Sequence, residues 1–322
     1  MLVTRGAHCA VHAPVALTIG NFDGVHKGHQ VILARTRQEA ALRGVTSCVL
    51  TFEPHPREYF EKVRARTAAG PASSPAPTRL TSLREKLELL QAEGLDRVHV
   101  QRFHAGFAAL APEAFVAQML ERTLQARWVL VGDDFCFGAR RSGNTELLRQ
   151  LGPQHGYELE IMPAIEQQRR RVSSGAVREA LASGDVEGAR ALLGRPYSIS
   201  GRVVHGDKLG RELGCSTANI QMKHNRPPLT GIFAVHVHGI GSELCPGVAS
   251  LGVRPTVKRD GSAVLEVHVF DFEGDLYRKH LRVDFLHKIR DEAKFSDLEA
   301  LRSQIQRDCD AAKSFLMGYR HV

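Results

Sequence analysis

The residues best equipped for chemistry lie together near the N-terminus, in the run Thr18-Ile19-Gly20-Asn21-Phe22-Asp23-Gly24-Val25-His26-Lys27-Gly28-His29. An apolar stretch, Val15–Ile19, enters a glycine-rich turn, and a helix-like segment follows. Glycines let a backbone approach a ligand closely. A helix N-terminus offers free N–H groups and partial positive charge, which suit a phosphate. Two imidazoles on that first turn can hydrogen-bond a phosphate whose charge grows during transfer. The run therefore reads as a nucleotide site for chemistry on phosphorus. His26 and His29 are its catalytic candidates, with Gly20, Asn21, Phe22, Asp23, Gly24 and Gly28 as its phosphate-contact positions. A metal site is the weaker reading, because no carboxylate or cysteine sits at ligand spacing and HxxxH is absent. Ordinary surface histidines are the remaining alternative in a chain that holds sixteen of them.

Three further segments follow apolar runs in the first half. Thr51-Phe52-Glu53-Pro54-His55-Pro56 carries two prolines that stiffen a loop where a pocket is expected. Val131-Gly132-Asp133-Asp134-Phe135-Cys136-Phe137-Gly138 places Asp134 where a carboxylate can hold a ribose hydroxyl or an adenine amine; an Asx-type turn is the plain alternative. Arg171-Val172-Ser173-Ser174-Gly175-Ala176-Val177-Arg178 precedes a helix. Either serine there suits an N-cap. Together with the bidentate Arg178, both also suit the β- and γ-phosphates of a nucleotide.

The second half carries a different set. Gly206, Lys208, Gly210, Arg211 and Gly214 punctuate a loop that runs into Cys215-Ser216-Thr217-Ala218-Asn219. The oxygens of Thr217 and Asn219, two residues apart on an extended segment, point to one side and suit a hard cation such as Mg²⁺; a satisfied turn is the alternative. Glu266 lies in the apolar run Leu265–Phe272, with Leu265 and Val267 expected on the opposite face. A partly buried carboxylate there can act as a general base, or it can be a solvent-facing edge residue.

The elements that must position these groups divide into two textures. Strands at Val15–Ile19, Val45–Phe52, Arg97–Val100, Arg127–Val131 and Tyr157–Met162 alternate with helices at Gly28–Arg43, from Ser82-x-x-Glu85 to Gly94, at Pro112–Leu124 and at Asn144–Leu151. That alternation predicts a doubly wound parallel sheet, whose ligands bind at strand carboxyl ends. Thr67–Pro77 reads as a surface loop, and Ala176–Leu193 as helical. Beyond Tyr197, short strands at Ser198–Val204, Ile232–Val237, Val264–Phe270 and Leu281–Phe285 predict an antiparallel sheet or small barrel. A terminal helix opened by Ser296-x-x-Glu299 reaches about Met317. The expected domains are 1–187 and 197–322, joined by a linker over 188–196.

The bulk properties exclude several classes. The 322 residues allow two cores. The net charge of +8 fits polyphosphate substrates as well as nucleic acid. No nucleic-acid motif accompanies it, and one Trp and five Tyr leave few rings for base stacking. The six cysteines are scattered without C-x-x-C, which fits a cytoplasmic chain. Neither a signal peptide nor an apolar run of membrane-spanning length is evident.

H-x-G-H with its preceding strand resembles the signature of the nucleotidyltransferase superfamily. The order GNFDGVHxGH, TFxPHP, VGxDFxFG and SSxxxR, over about residues 15–187, resembles the FAD-synthetase half of the bacterial bifunctional riboflavin kinase/FAD synthetases. The string GxxxGRxLGxxTAN, then GxRPT, EVHxFDF and Ile289-Arg290-Asp291-Glu292-x-x-Phe295, over about 195–318, resembles their riboflavin kinase half. This resemblance implies an α/β nucleotidyltransferase domain followed by a β-barrel kinase domain. It implies ATP, riboflavin, FMN and FAD as substrates and products, Mg²⁺ with the ATP, and no membrane or nucleic-acid partner. The glycine-punctuated loop from Gly206 to Gly214 is then part of the ATP site. His55, Pro56, Arg290 and Phe295 become flavin contacts, Thr217 and Asn219 the Mg²⁺/ATP ligands, and Glu266 the base for the ribityl 5′-hydroxyl. Three departures stand out: Gly175 replaces a threonine, Cys215-Ser216 replaces Phe-Pro, and Ser250 replaces an asparagine. The first removes one potential phosphate hydroxyl; the other two imply a slower kinase or weaker flavin affinity. The substitutions at Cys215, Ser216 and Ser250 leave open the alternative of a monofunctional nucleotidyltransferase with a degenerate flavin-binding C-terminal domain.

Overall fold

The apolar runs of the first half become parallel strands: β1 (Leu2–Arg5), β2 (Val15–Ile19), β3 (Thr46–Glu53), β4 (Arg97–Arg102), β5 (Ala126–Gly132) and β6 (Glu158–Met162). They form one sheet in the order β1-β4-β3-β2-β5-β6, every neighbouring pair parallel. The computed structural model describes residues 1–6, 13–67, 77–167, 170–205, 217–223, 226–241, 243–253 and 263–319. Its contacts divide the chain into two units, Met1–Pro77 with Lys86–Val172, and Thr78–Glu85 with Ser173–Val322.

In the first unit β2 is buried at every residue, as a strand covered on both faces must be. From β2 the chain steps to β3 and β4 on one side and then to β5 on the other. The carboxyl ends of β2 and β5 therefore flank the switch point, where such sheets bind ligands. The connections are α1 (Lys27–Arg43), α2 (Pro56–Thr67), α3 (Leu83–Ala92), α4 (Ala105–Ala108), α5 (Pro112–Phe115) and α6 (Thr145–His155). Gly44 closes α1 at φ 62°, a left-handed cap that glycine adopts without strain. Ser82 and Glu85, which open α3 and are grouped with the second unit, form the expected capping box: Ser82 N–H donates to Glu85 Oε2 at 2.7 Å, and Glu85 N–H to Ser82 Oγ at 3.3 Å. The regular helix expected over Pro112–Leu124 is corrected. After α5 the chain widens into a π-helix, Val116–Thr123, and Leu124 N–H donates five residues back to Met119 O at 3.0 Å. The wider turn buries Val116, Met119 and Leu120 on one core with Phe115. The proline-rich segment 68–76 lies outside the described residues. Two-residue strands β7 (Glu166–Gln167) and β8 (Arg170–Arg171) pair antiparallel.

The second unit begins with α7 (Ser174–Ala182) and α8 (Val186–Leu193), where a single helical stretch was expected; Gly184 at φ 82° turns the chain between them. Val177, Leu181, Val186, Ala189 and Leu193 pack into the same core as the following strands. Residues 188–193 are thus helix, and Gly194 caps it. Then come β9 (Tyr197–Val204), β10 (Ala218–Met222), β11 (Gly231–His238), β12 (Cys245–Val253), β13 (Ala263–Val269) and β14 (His280–Arg290). They form a closed antiparallel barrel in the order β10-β13-β12-β11-β14-β9. β12 escapes the alternation rule because Pro246, Gly247 and Gly252 dilute its strand signal, and β10 because it is only five residues long with no β-branched residue but Ile220. The terminal helix α9 (Leu298–Gly318) covers part of the barrel's outer face, packing Cys309 and Ala312 on Ile232, Ala234, Val248 and Phe270. Its N-cap is Asp297 rather than Ser296: the Asp297 carboxylate accepts from Ala300 N–H at 2.8 Å. The Ala300 amide and the Ser296 hydroxyl hold that carboxyl below its ordinary range.

Candidate active sites

The Gly20–His29 turn leaves β2 at the switch point, and its shape follows from its residues. His26 is the N-cap of α1, its Nδ1 accepting from His29 N–H at 3.3 Å. The two imidazoles stack at 3.6 Å between centroids, 17° from parallel, and the Phe22 ring lies 4.9 Å from His29. His26 is 6% exposed, and Phe22 and Val25 are buried. Gly28 leaves room for this stack: a β-carbon there would stand 3.2 Å from the His26 ring and 3.4 Å from Val172 O, so the ring would have to shift by a few tenths of an ångström. Gly20 has the same relation to the Phe22 ring, at 3.1 Å. Phe22 and Val25 take left-handed backbone, φ 47° and 41°. Such positions cost about 1–3 kcal/mol each and concentrate at functional sites. The side-chain oxygen Oδ1 of Asn21 is buried with no hydrogen-bond partner in the structure. An unmet acceptor at the switch point fits a donor group on a ligand. Asp23 is buried in the same turn.

Of the other first-half candidates, His55 and Asp134 sit on the loops that follow β3 and β5. His55 Nδ1 accepts from Arg57 N–H at 3.1 Å at the start of α2, whose first residue is Pro56. Asp134, past β5, pairs with Arg171 at 2.6 Å. Ser173 N-caps α7 through Ala176 N–H at 3.1 Å, Ser174 is its first residue, and Arg178 Nε donates to Thr78 O at 2.6 Å; these residues belong to the second unit. One group escaped the sequence reading. Phe52, Phe107, Phe115, Phe137 and Phe135 form a continuous row of rings, 5.4 to 6.0 Å apart between neighbours. The available signal was Phe52 near the end of β3 and Phe135 and Phe137 just past β5; Phe107 and Phe115 come from α4 and α5.

The barrel builds its site by register. Glu266 on β13 pairs with Asn219 on β10 on one side and with Ser250 on β12 on the other. Ser250 pairs with Ile232, and Ile232 with Arg290 on β14. Directly paired residues share a face, so this row runs across the outside of the barrel while Leu265 and Val267 point into its core. Thr217 is exposed immediately before β10. Arg290 forks onto Asp308 of α9 at 2.8 and 2.6 Å and lies 5.7 Å over the Phe295 ring. Gln304 also donates to Asp308, at 2.8 Å. Glu292 crosses Gly252, where a β-carbon would collide with its carboxyl. Burial raises that carboxyl above its ordinary range, opposed by the charge of Arg290. The expected phosphate positions Gly206, Lys208, Gly210, Arg211 and Gly214, with Cys215, Ser216 and the Arg254-Pro255-Thr256 part of GxRPT, lie outside the described residues.

Two family models match this chain: FAD synthetase over residues 9–176 and riboflavin kinase over residues 193–316. A bifunctional riboflavin kinase/FMN adenylyltransferase of Pseudomonas fluorescens is 45% identical over 100% of both chains. Proteins of the same description from Escherichia coli K12 and Haemophilus influenzae are 42% and 41% identical; they cover 98% of this chain and 98% and 99% of their own. A crystal structure described as a macrolide-efflux protein from Streptococcus pneumoniae is similar at a TM-score of 0.81 and 27% identity, over 99% of this chain and 100% of that one. Among the described residues here, no helix is long and apolar enough to cross a membrane. Fold, turn and barrel define a two-part flavin-nucleotide enzyme with a nucleotidyltransferase sheet and a kinase barrel. The chain belongs to the bifunctional riboflavin kinase/FMN adenylyltransferase family.

Proposed function

We propose that the chain phosphorylates riboflavin to FMN and then adenylylates FMN to FAD, each step using ATP. In this reading residues 1–187 carry adenylyl transfer and 197–322 carry the kinase. The observation that carries it is the coexistence of two built sites: the stacked His26/His29 turn at the switch point and the Asn219–Glu266–Ser250 row on the barrel.

In the kinase reaction, Glu266 takes the proton of the ribityl 5′-hydroxyl as its oxygen attacks the γ-phosphorus of ATP, and ADP leaves. Asn219 and Thr217 offer neutral oxygen donors beside that carboxylate, which fits a hard cation. They would hold the Mg²⁺ that accompanies ATP, whose charge offsets that of the polyphosphate. Arg290 and Phe295, braced by Asp308, position the flavin. Gly206, Lys208, Gly210, Arg211 and Gly214 belong to the ATP site in the same reading.

In adenylyl transfer, a phosphate oxygen of FMN attacks the α-phosphorus of ATP, the bond to the β-phosphate oxygen breaks, and pyrophosphate leaves. His26, His29 and the free N–H groups of α1 stabilise the charge that develops. Ser173, Ser174 and Arg178 hold the departing pyrophosphate, and Asp134 and Asn21 orient the nucleoside. The half-buried members of the row, Phe52, Phe107 and Phe135, offer apolar surface to an isoalloxazine ring, with His55 and Pro56 at its edge. The cytoplasm, which supplies ATP and keeps scattered thiols reduced, is the compartment this reading assigns.

The test is to incubate the protein with riboflavin, ATP and Mg²⁺ and to resolve flavins over time. FMN that rises and then gives way to FAD is expected. FAD from added FMN, with no product from riboflavin, would replace this reading with the monofunctional one. No turnover of either flavin would overturn it.

A further inference from the structure

Just past β5 the chain makes a tight loop that the mechanism above does not use. Phe137 N–H donates to Gly143 O at 3.0 Å, and Gly143 N–H returns to Phe137 O at 2.9 Å. Inside that bridge Arg141 N–H donates to Gly138 O at 3.1 Å, Ser142 N–H to Ala139 O at 3.1 Å, and Ala139 N–H to Leu110 O at 2.7 Å. Gly138 and Gly143 are wedged in place: a β-carbon on Gly138 would stand 2.7 Å from Pro112, and one on Gly143 would stand 2.8 Å from the Phe137 ring. At the tip, Arg140 and Arg141 both take left-handed backbone, φ 55° and 59°. Glycine or asparagine would adopt that geometry with less strain.

Both side chains are exposed, and neither guanidinium makes a hydrogen bond or ion pair with a described residue. Within this unit Arg35 pairs with Glu160 and Arg171 with Asp134, whereas Arg140 and Arg141 share their lack of a carboxylate partner among the described residues with exposed arginines such as Arg102. The loop leaves the strand next to β2, so it stands at the same sheet end as the Gly20–His29 turn. Its base is the Phe135–Phe137 pair, stacked at 5.6 Å and continuous with the row of rings.

We infer that Arg140 and Arg141 clamp the 5′-phosphate of the flavin acceptor during adenylyl transfer. This inference rests on the proposed function and extends it. The acceptor is a planar ring joined by a flexible chain to a phosphate monoester, which carries about −1.5 to −2 charges at neutral pH. An aromatic wall ending in two unmatched guanidinium forks complements both ends of that molecule. Guanidinium binds such oxygens bidentately, and an anion between the two removes their mutual repulsion. The stitched backbone holds the strained tip in place in the absence of ligand, while the two exposed side chains close on the phosphate when it binds.

The test compares the intact protein with Arg140→Gly, Arg141→Gly and the double variant. Glycine suits the left-handed backbone, so folding is retained and the melting temperature is unchanged or raised. In the double variant the KM for FMN in FAD synthesis is expected to rise about 10–100-fold, the loss of one to two charge-assisted contacts. KM for ATP and riboflavin phosphorylation stay within about twofold, on the reasoning that neither ligand meets this loop. Added salt should raise the wild-type KM for FMN and leave the double variant nearly flat. If the glycine pair fails to fold, the Arg140→Lys/Arg141→Lys pair carries the same test, with a severalfold rise in KM for FMN. An unchanged KM for FMN overturns the inference. A rise in KM for ATP alone overturns it in favour of a nucleotide-phosphate contact. A wild-type protein that makes no FAD from FMN and ATP overturns the proposed function itself, a different failure.

Discussion

The two candidate sites are built by opposite means. The Gly20–His29 turn is a single continuous segment, and its geometry is local: His26 caps the helix it begins and stacks on His29, with Gly28 leaving room for the stack. The barrel site takes Asn219, Ser250, Glu266 and Arg290 from four strands and aligns them only through ladder pairing. A local site fails when one residue misfits. A register site fails when a strand slips, because a one-residue shift turns every side chain to the other face. A chain with both constructions should therefore show separable losses.

The sharpest break should come from Glu266→Gln. It keeps the volume and the ladder but removes the base, so FMN formation from riboflavin should fall about 10²–10⁴-fold. FAD formation from supplied FMN should stay within about twofold of wild type, because adenylyl transfer does not use this base. Parallel loss of both activities, measured by flavin chromatography, would end the two-site assignment. His29→Ala is the mirror test. Loss of one preorganised donor should slow FAD formation by about 10²–10³-fold and leave FMN formation intact.

Gly28→Ala sharpens the contrast without touching a chemical group. An alanine in the first turn of α1 gains about 1 kcal/mol of helix propensity, so global stability should hold or rise slightly. Its β-carbon would nonetheless crowd the His26 ring at 3.2 Å. Displaced imidazoles should cost about tenfold or more in FAD synthesis, since small misplacements are expensive in catalysis. A fully active Gly28→Ala protein would mean that the stack is not part of the site.

How much of this was legible in the sequence follows from the same contrast. The turn, its cap and the following helix were readable because every determinant lies within twelve residues, and the parallel sheet was readable from β2 and β5 as apolar runs. Glu266 was readable as a carboxylate between Leu265 and Val267, both of which the barrel buries. That Asn219, itself a candidate ligand, and Ser250 flank it was not readable, because nothing local announces which strands pair. β12, with Pro246, Gly247 and Gly252, did not look like a strand at all. The π-helix at Val116–Thr123 was invisible for a related reason: its sequence has ordinary helical periodicity, and the extra residue is set by packing of Phe115, Met119 and Leu120. The left-handed arginines past Gly138 left no local trace either, since the bridge between Phe137 and Gly143 imposes them.

The smallest expected effect concerns the scaffold under the local site. His99 on β4 is fully buried, and its Nδ1 meets Thr4 Oγ1 of β1 at 2.9 Å. Burial pushes its imidazole below the ordinary 6.5; a hydrogen bond with Gln101 opposes that shift and the charge of Arg97 adds to it. With the folded value lowered, the unfolded chain binds the proton more readily. Stability is therefore unaffected above about 6.5, falls as pH drops from there toward the folded value, and levels off below it. The barrel's row of paired residues has no part in this linkage, so the loss should be confined to the parallel sheet. Trp128, the chain's one tryptophan, is 2% exposed on β5 and reports on that sheet. Its fluorescence-detected melting should move down by a few degrees from pH 7 to pH 5.5, and His99→Gln should flatten that slope while leaving riboflavin phosphorylation unchanged. A slope that survives the substitution would assign the acid sensitivity to another group and leave the burial of His99 without energetic consequence.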